Sequence, residues 1–216
     1  MTIDKLSKTR LLSKAGKYIM LGVAVAFVIA GIRAYQLYQY VFRENVKKDF
    51  VLFIPENATY QQVTDSLTNN DVLESMKAFH WISKKKDYSK NIKTGRYLLK
   101  KGMNTNQVVN MLKGGLQTPL NVTFNNVRTP QELAGKVSKY LVADSVSLLN
   151  LFSDTALIKS YGFTPETFRT MFLPNTYEFY WTTSASEFAE RMKKEYDRFW
   201  NAERKKKADE LQFTLP

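Results

Sequence analysis

The 216-residue sequence contains no cysteine and a single histidine, His80. A disulfide framework, a cysteine-ligated zinc site and any metal site built from several histidines are therefore excluded. His80 stands beside Trp81 in a segment whose apolar residues have helical spacing, which favours a structural role over a catalytic one. The sequence thus predicts neither a metal nor a cofactor.

Negative charge is also scarce, because 32 Lys and Arg face 20 Asp and Glu, a net charge of +12. Such an excess suits nucleic acid, anionic lipid or an anionic polymer such as a cell wall. The sequence carries no nucleic-acid motif, so nucleic acid is not an expected partner. Residues 1–34 hold six basic residues and one acidic residue, which leaves +7 for the remainder. A surface near wall polymer or lipid headgroups fits that remainder, although a merely solvated surface explains it equally well.

Charge is absent from Tyr18–Ile32, which consists mostly of Val, Ala, Ile, Leu and Gly. Fifteen residues are short for a membrane span of about 20. Arg33 can snorkel, however, and the tyrosine-rich segment Ala34–Phe42 can lie at the interface. We therefore predict a transmembrane helix and flank over 18–42, with the basic segment 1–17 in the cytoplasm. The alternative is a cleaved signal peptide, disfavoured because there is no clean small-x-small cleavage site.

After the span, residues 35–49 are expected to form a stalk and Phe50–Ile54 a short strand. A strand–turn–helix pattern then occurs three times, with a helix cap five residues after the strand and aliphatic residues four and eight positions after the cap. The instances are Ile54, Thr59, Val63, Leu67; Leu99, Asn104, Val108, Leu112; and Phe124, Thr129, Leu133, Val137. Each cap is followed three positions later by Gln62, Gln107 or Glu132, as in a capping box. Wall-binding LysM domains use such modules, but ordinary α+β packing explains the pattern as well.

The remaining segments predict an α+β fold. Further helices are expected at Ser75–Ile82, 131–142, 145–151 and 165–171, strands at Thr94–Leu99 and Leu120–Phe124, and one long helix capped by Ser184 with Phe188, Met192, Phe199 and Glu203 near one stripe.

The segment Met171–Trp181 is the most aromatic part of the sequence. Pro174-Asn175 predicts a turn, and three rings then alternate with Glu178 and Tyr180, as in a short strand. One face would carry rings, which suit sugar rings, and the other a carboxylate beside a phenol, which suits glycosidic chemistry. The alternative is a core strand after a turn, and composition alone favours it.

The order of these elements resembles the YceG-like endolytic murein transglycosylases, the MltG family. The resemblance rests on the membrane span, Ile54-Pro55, Gly95-Arg96-Tyr97, Gly114-Gly115 and Leu173-Pro174-Asn175-Thr176-Tyr177, and the last is its most specific part. It implies a LysM-like subdomain at 50–115 and the N-terminal part of a mixed α/β catalytic domain at 118–216.

The resemblance also implies a function. Members cleave nascent peptidoglycan glycan strands in the periplasm, leaving 1,6-anhydromuramyl ends, from an anchor in the inner membrane. Glycan strands and the membrane are then the expected partners, with peptidoglycan synthases nearby. The residues expected to line the substrate cleft are Pro174, Asn175, Thr176, Tyr177, Glu178 and Trp181.

Two departures from the family matter. Arg169 and Thr170 stand where the family commonly has Glu-Gly. The family's catalytic glutamate lies in a downstream helix that has no counterpart before Pro216, so the chain is expected to stop short of it, the catalytic domain to be incomplete, and the chain to be inactive. Glu178 is a disfavoured substitute acid. The alternative function is a non-catalytic, membrane-anchored peptidoglycan-binding or cell-division scaffold.

Overall fold

A computed structural model describes residues 3–125 and 127–213, with side chains from Lys17 onward. The fold is mixed α/β, and its strands form two two-stranded sheets, β1-β2 and β3-β4. The helices are α1 Ile3–Phe42, α2 Tyr60–Asn69, α3 Met76–Lys85, α4 Thr105–Gly114, α5 Pro130–Val137, α6 Ser145–Phe152, α7 Thr155–Ser160, α8 Ala185–Phe199 and α9 Ala202–Glu210. The strands are β1 Phe50–Ile54, β2 Gly95–Leu99, β3 Leu120–Phe124 and β4 Asn175–Phe179.

The chain divides into two compact units. Unit 1 comprises Met1–Phe50, Thr64–Asn91 and Leu99–Asn110, and unit 2 comprises Val51–Val63, Ile92–Leu98 and Met111–Pro216. The boundaries 50–115 and 118–216, which rest on the family resemblance, stay a prediction.

The N-terminal helix α1 contains a 26-residue part, Lys17–Phe42, that is long and apolar enough to cross a membrane. The expected stalk at 35–49 is wrong, because α1 continues to Phe42 and the chain beyond it is held in place. Glu44 bridges Asn104, and Val46 bridges Leu73. The helix α1 contacts α3, and Gln39, Tyr40 and Arg43 near its end line a small cleft with Ser75 and Ala78.

The side chain of Asn45 ties the parts of unit 1 together. Its Nδ2 donates to the carbonyl of Ser75 at 3.1 Å and to Thr105 Oγ1 at 3.0 Å, and its Oδ1 accepts from the Ser75 amide at 2.6 Å. Asn45 is only 4% exposed, so these bonds compensate a buried amide that would otherwise be costly. They fix the chain three residues after α1 ends.

The three strand–turn–helix units are confirmed as β1–α2, β2–α4 and β3–α5. Thr59 and Gln62 exchange hydrogen bonds of 2.7 and 3.3 Å, and Asn104 and Gln107 exchange two bonds of 2.9 Å. Thr129 accepts from the Glu132 amide at 3.1 Å, and α5 begins at Pro130, where its missing N–H has no helical partner to lose.

The core of unit 2 is built on aromatic rings around Phe188, which is fully buried. Its ring centroid lies 5.2 Å from that of Phe179 and 6.1 Å from that of Phe172. Phe124 and Phe152 follow at 6.3 and 6.5 Å. The capping box predicted at Ser184 and Glu187 is present and places Phe188 on the inner face of α8.

The expected single long helix after Ser184 is wrong, because the chain forms two helices. The helix α8 ends at Phe199, and Asn201 caps α9 by accepting a hydrogen bond from the Arg204 amide at 2.9 Å. An asparagine offers its side chain to the backbone and so favours a new helix start over continuation.

Candidate functional site

The candidate site is built on β4, which pairs antiparallel with β3 in unit 2. Val122 lies opposite Tyr177 and Thr123 opposite Thr176, so alternate residues of both strands share a face. The inner face holds Val122, Phe124, Tyr177 and Phe179, all buried. The outer face holds Asn121, Thr123, Thr176 and Glu178, all exposed.

The inner face confirms the core-strand interpretation for two of the three predicted rings. Tyr177 is 6% exposed and Phe179 is 5% exposed. The Tyr177 ring stacks on Phe124 with centroids 5.3 Å apart, so its face is covered by protein. Tyr177 and Phe179 therefore form part of the core, because burying their rings gains hydrophobic free energy.

The outer face is a strip of hydrogen-bonding groups, which we call the polar strip: Asn121, Thr123, Thr176 and Glu178. The hydroxyl oxygens of Thr123 and Thr176 lie 2.7 Å apart, so one donates to the other. Asn121 and Glu178 are cross-strand partners at the next position. The strip therefore offers hydroxyl, amide and carboxylate groups in fixed register to a polar ligand.

The turn before β4 is held by the hydroxyl of Tyr177. This O–H donates to the Leu173 carbonyl at 2.8 Å and so closes the loop around Pro174. Asn175 Oδ1 accepts from the Thr176 amide at 2.8 Å. Burial, and then the charge of Glu195, raise the pKa of Tyr177, which keeps its hydroxyl protonated as a donor. Pro174 and Asn175 remain exposed in this turn.

Beside the turn lies a cleft of about 360 Å³ whose charged residues sequence reasoning missed. It is lined by Pro174, Asn175, Glu195, Arg198 and Arg204 among others. The half-buried carboxylate of Glu195 pairs with Arg191 at 2.8 Å and with Arg198 at 3.1 Å. The spacing of these residues by three and four positions on α8 was the signal available in the sequence.

Glu178 lines a second cleft, of about 620 Å³, together with Tyr180, Glu187, Glu190 and Lys194. Its side chain is exposed. A general acid that protonates a glycosidic oxygen needs a partly desolvated site, as when burial raises a carboxyl pKa. The position of Glu178 does not offer that environment, and it suits a hydrogen-bond acceptor for a polar ligand instead.

Trp181 does not belong to the β4 face, because β4 ends at Phe179. Its ring packs edge-on against Phe53 with centroids 5.1 Å apart, and Phe53 is 48% exposed. Trp181 and Thr182 line a groove of about 600 Å³ in unit 2 with Glu56 and Gln117. Gln117 Nε2 donates to Thr182 Oγ1 at 3.1 Å. The groove thus combines an aromatic wall with amide, hydroxyl and carboxylate groups.

A further cleft of about 440 Å³, also missed by sequence reasoning, lies at the start of α5. Phe152, Phe168 and Phe172 form an apolar wall, and Arg128 and Arg169 lie at the edge. Arg169 belongs to the Arg169-Thr170 departure from the family pattern noted above. The sequence therefore drew attention to this residue but did not predict the cleft.

The described residues of unit 2 therefore present a polar strip on β3 and β4, an aromatic groove at Trp181 and a turn closed by the Tyr177 hydroxyl. The model of the YceG-like family matches residues 52–215, well over half of the chain. The chain belongs to the YceG-like family.

Among solved structures, the chain is similar to a YceG-like protein from Listeria monocytogenes, determined by crystallography at 2.6 Å. The two are 21% identical with a TM-score of 0.41, over 77% of this chain and 60% of the listerial one. The chain thus spans about 60% of the length of that relative. A comparison with curated proteins found no match.

Proposed function

We propose that this protein acts as an endolytic murein transglycosylase, cleaving nascent peptidoglycan glycan strands to 1,6-anhydromuramyl ends. Membership of the YceG-like family is the observation that carries the proposal. The polar strip and the groove at Trp181 support it, because alternating sugar rings need both hydrogen-bonding groups and flat apolar faces.

In this reaction an acid protonates the leaving oxygen as the glycosidic bond breaks, and the 6-hydroxyl of the muramic acid then attacks its own anomeric carbon and gives its proton to the resulting carboxylate. One carboxyl group can serve first as acid and then as base. The residues of this chain would bind and orient the strand: Asn121, Thr123 and Thr176 through hydrogen bonds, and Trp181 with Phe53 through their rings. The family resemblance implies a general acid in a glutamate helix that residues 1–216 do not contain, and the exposed Glu178 is not that acid.

The same resemblance leads us to propose that residues 50–115 form a LysM-like, wall-binding subdomain. We also propose that α1 anchors the protein in the inner membrane, with residues 1–17 in the cytoplasm and the bulk in the periplasm. The basic residues before the span support this orientation. A reporter active only outside the cytoplasm, fused after Lys48, should give signal, and a signal from a cytoplasmic reporter instead would overturn the orientation.

The activity test uses uncrosslinked glycan strands and mass spectrometry of 1,6-anhydromuramyl ends. The polypeptide 1–216 should give none, since loss of a positioned acid costs about 10²–10⁴ in rate. A version extended by joining the family's glutamate helix after Pro216 should produce them. Anhydro ends from 1–216 that disappear with Glu178→Gln would instead make Glu178 the acid.

The binding test compares two tryptophans. Trp181→Ala should weaken binding of glycan strands by about fivefold to tenfold, as expected for the loss of one stacking ring. Trp200→Ala, a matched change at the C-cap of α8, should leave binding unchanged. Equal effects of the two variants would remove Trp181 from the glycan site.

The second candidate function is a non-catalytic, membrane-anchored peptidoglycan-binding or cell-division scaffold. The exposure of Glu178 favours it, because the polar strip then binds without a desolvated acid. Glycan binding that depends on Trp181, together with no anhydro ends from the extended version, would decide for the scaffold.

A further inference from the structure

The helix α3 of unit 1 has an exposed side that is basic and aromatic. Ala78, Phe79, Ile82 and Ser83 are buried, whereas Lys77, His80, Lys84 and Lys85 are exposed and Trp81 is half-buried. We call Lys77, His80, Trp81, Lys84 and Lys85 the basic face. The ammonium group of Lys85 lies 5.8 Å from the centroid of the Trp81 ring. Among residues 17–125 and 127–213, no carboxylate forms an ion pair with Lys77, Lys84 or Lys85.

This helix stands beside the end of the candidate membrane span. Its first turn, at Ser75 and Ala78, shares a small cleft of about 280 Å³ with Gln39, Tyr40 and Arg43. A hydrocarbon core of about 30 Å is crossed by about 20 helical residues. A span that begins at Tyr18 therefore leaves the core near Leu37, and the cleft falls in the headgroup layer.

The rest of unit 1 is held near the membrane end of α1, because the residues that follow α1 are tied to it by hydrogen bonds and a salt bridge. The hydrogen bonds of Asn45 to Ser75 and Thr105 are buried and follow α1 by three residues. The salt bridge between Lys47 and Asp71 lies just beyond. The start of α3 is thus fixed near the height of Tyr40 in any bilayer that α1 crosses.

We propose that the basic face of α3 binds the anionic headgroups of the bilayer that α1 enters, so that unit 1 is seated on the membrane surface. The inference rests on the proposed membrane anchor. Lysine side chains near an anionic leaflet are attracted within a Debye length, and their stems extend toward it. Tryptophan prefers the same interfacial layer.

A wall polymer is also anionic, but two observations favour lipid. The contact between α3 and α1 holds the start of α3 near the level at which α1 leaves the hydrocarbon core. The half-buried ring of Trp81 has an apolar body and a polar N–H, a combination that suits the boundary between acyl chains and headgroups.

The test uses the full chain, reconstituted into vesicles of phosphatidylcholine with or without phosphatidylglycerol. Replacing Trp181 and Trp200 by Phe leaves Trp81 as the sole tryptophan. A lipid with a nitroxide on its headgroup should quench Trp81 about twofold more in the anionic vesicles, and added salt should reduce the difference. Changing Lys77, Lys84 and Lys85 to Gln should abolish it.

The matched control removes three charges from α9 instead, by changing Lys205, Lys206 and Lys207 to Gln, and should leave the quenching unchanged. Circular dichroism checks that each variant is folded.

Flotation with the vesicles measures the insertion of α1 separately. A chain that floats while Trp81 is not quenched overturns only the binding of α3 to the headgroups. A chain that fails to float overturns the anchor and the seating together. Binding of soluble glycan strands to the basic face instead is detected by acrylamide quenching of Trp81 fluorescence. If the strands reduce this quenching while anionic lipid has no effect, the face binds wall polymer and the proposal is refuted.

Discussion

Replacing Tyr177 by Phe removes one oxygen atom from the centre of the Leu173–Tyr177 turn and leaves the buried ring in place. The lost group donates to the Leu173 carbonyl at 2.8 Å. A typical hydrogen bond contributes about 0.5–1.5 kcal/mol, and an acceptor left without a donor adds to the cost. We expect a loss of about 1–2 kcal/mol in the free energy of unfolding, and a drop of roughly 2–8 °C in melting temperature for a chain of this length.

The assay is a thermal melt of the full chain followed by tryptophan fluorescence, with hydrogen exchange of the amides around Asn175. Tyr180→Phe is the matched control, since Tyr180 is 53% exposed, and such a surface change should cost less than about 0.5 kcal/mol. The turn amides should exchange faster only in the Tyr177 variant. Equal melting temperatures for the two variants, with unchanged exchange at the turn, would refute the assignment of Tyr177 as the residue that holds the turn.

Two further predictions concern other parts of the fold. Alanine at any one of the helix caps Thr59, Asn104 and Thr129 should lower the free energy of unfolding by about 0.5–2 kcal/mol. Arg128→Ala should cost less, and urea melts that fail to separate these variants would remove the capping assignment. Burial raises the pKa of Tyr97 from 10.0 to about 12, so its contribution to stability is complete below pH 10 and is lost as the pH rises through 12. Tyr97→Phe should therefore reduce alkaline unfolding, measured by circular dichroism against pH, and an unchanged alkaline midpoint would contradict this.

Local signals in the sequence predicted the elements well. The cap spacing located α2, α4 and α5, and the strand at Phe50–Ile54 agrees with the structure residue by residue. These features depend on backbone groups and side chains within a few positions of each other. The helix α7 was missed because its six residues carry too few apolar positions to show a period.

Features that depend on residues far apart in the sequence could not be predicted from such local signals. The period of two at Tyr177–Trp181 predicts a strand but does not say which face packs on α8. The partner of Trp181 is Phe53, more than a hundred positions earlier in the chain. The stalk prediction failed for the same reason, because α3 and Asn104 hold residues 40–46 from elsewhere in unit 1.

The fixed junction after α1 has a consequence for how far the protein reaches. A flexible linker of seven residues would allow the domain attached to it to move by about 15 Å. The bridges at Glu44 and Val46 take that freedom away, and what motion is left to unit 1 comes from tilting of α1 and from lateral diffusion. If α1 lies in a bilayer, unit 1 searches in two dimensions, at one height above the acyl chains. Unit 1 can then bind only those partners that lie at the same distance from the membrane. Inserting a few glycines into the junction would let unit 1 reach partners over a range of distances.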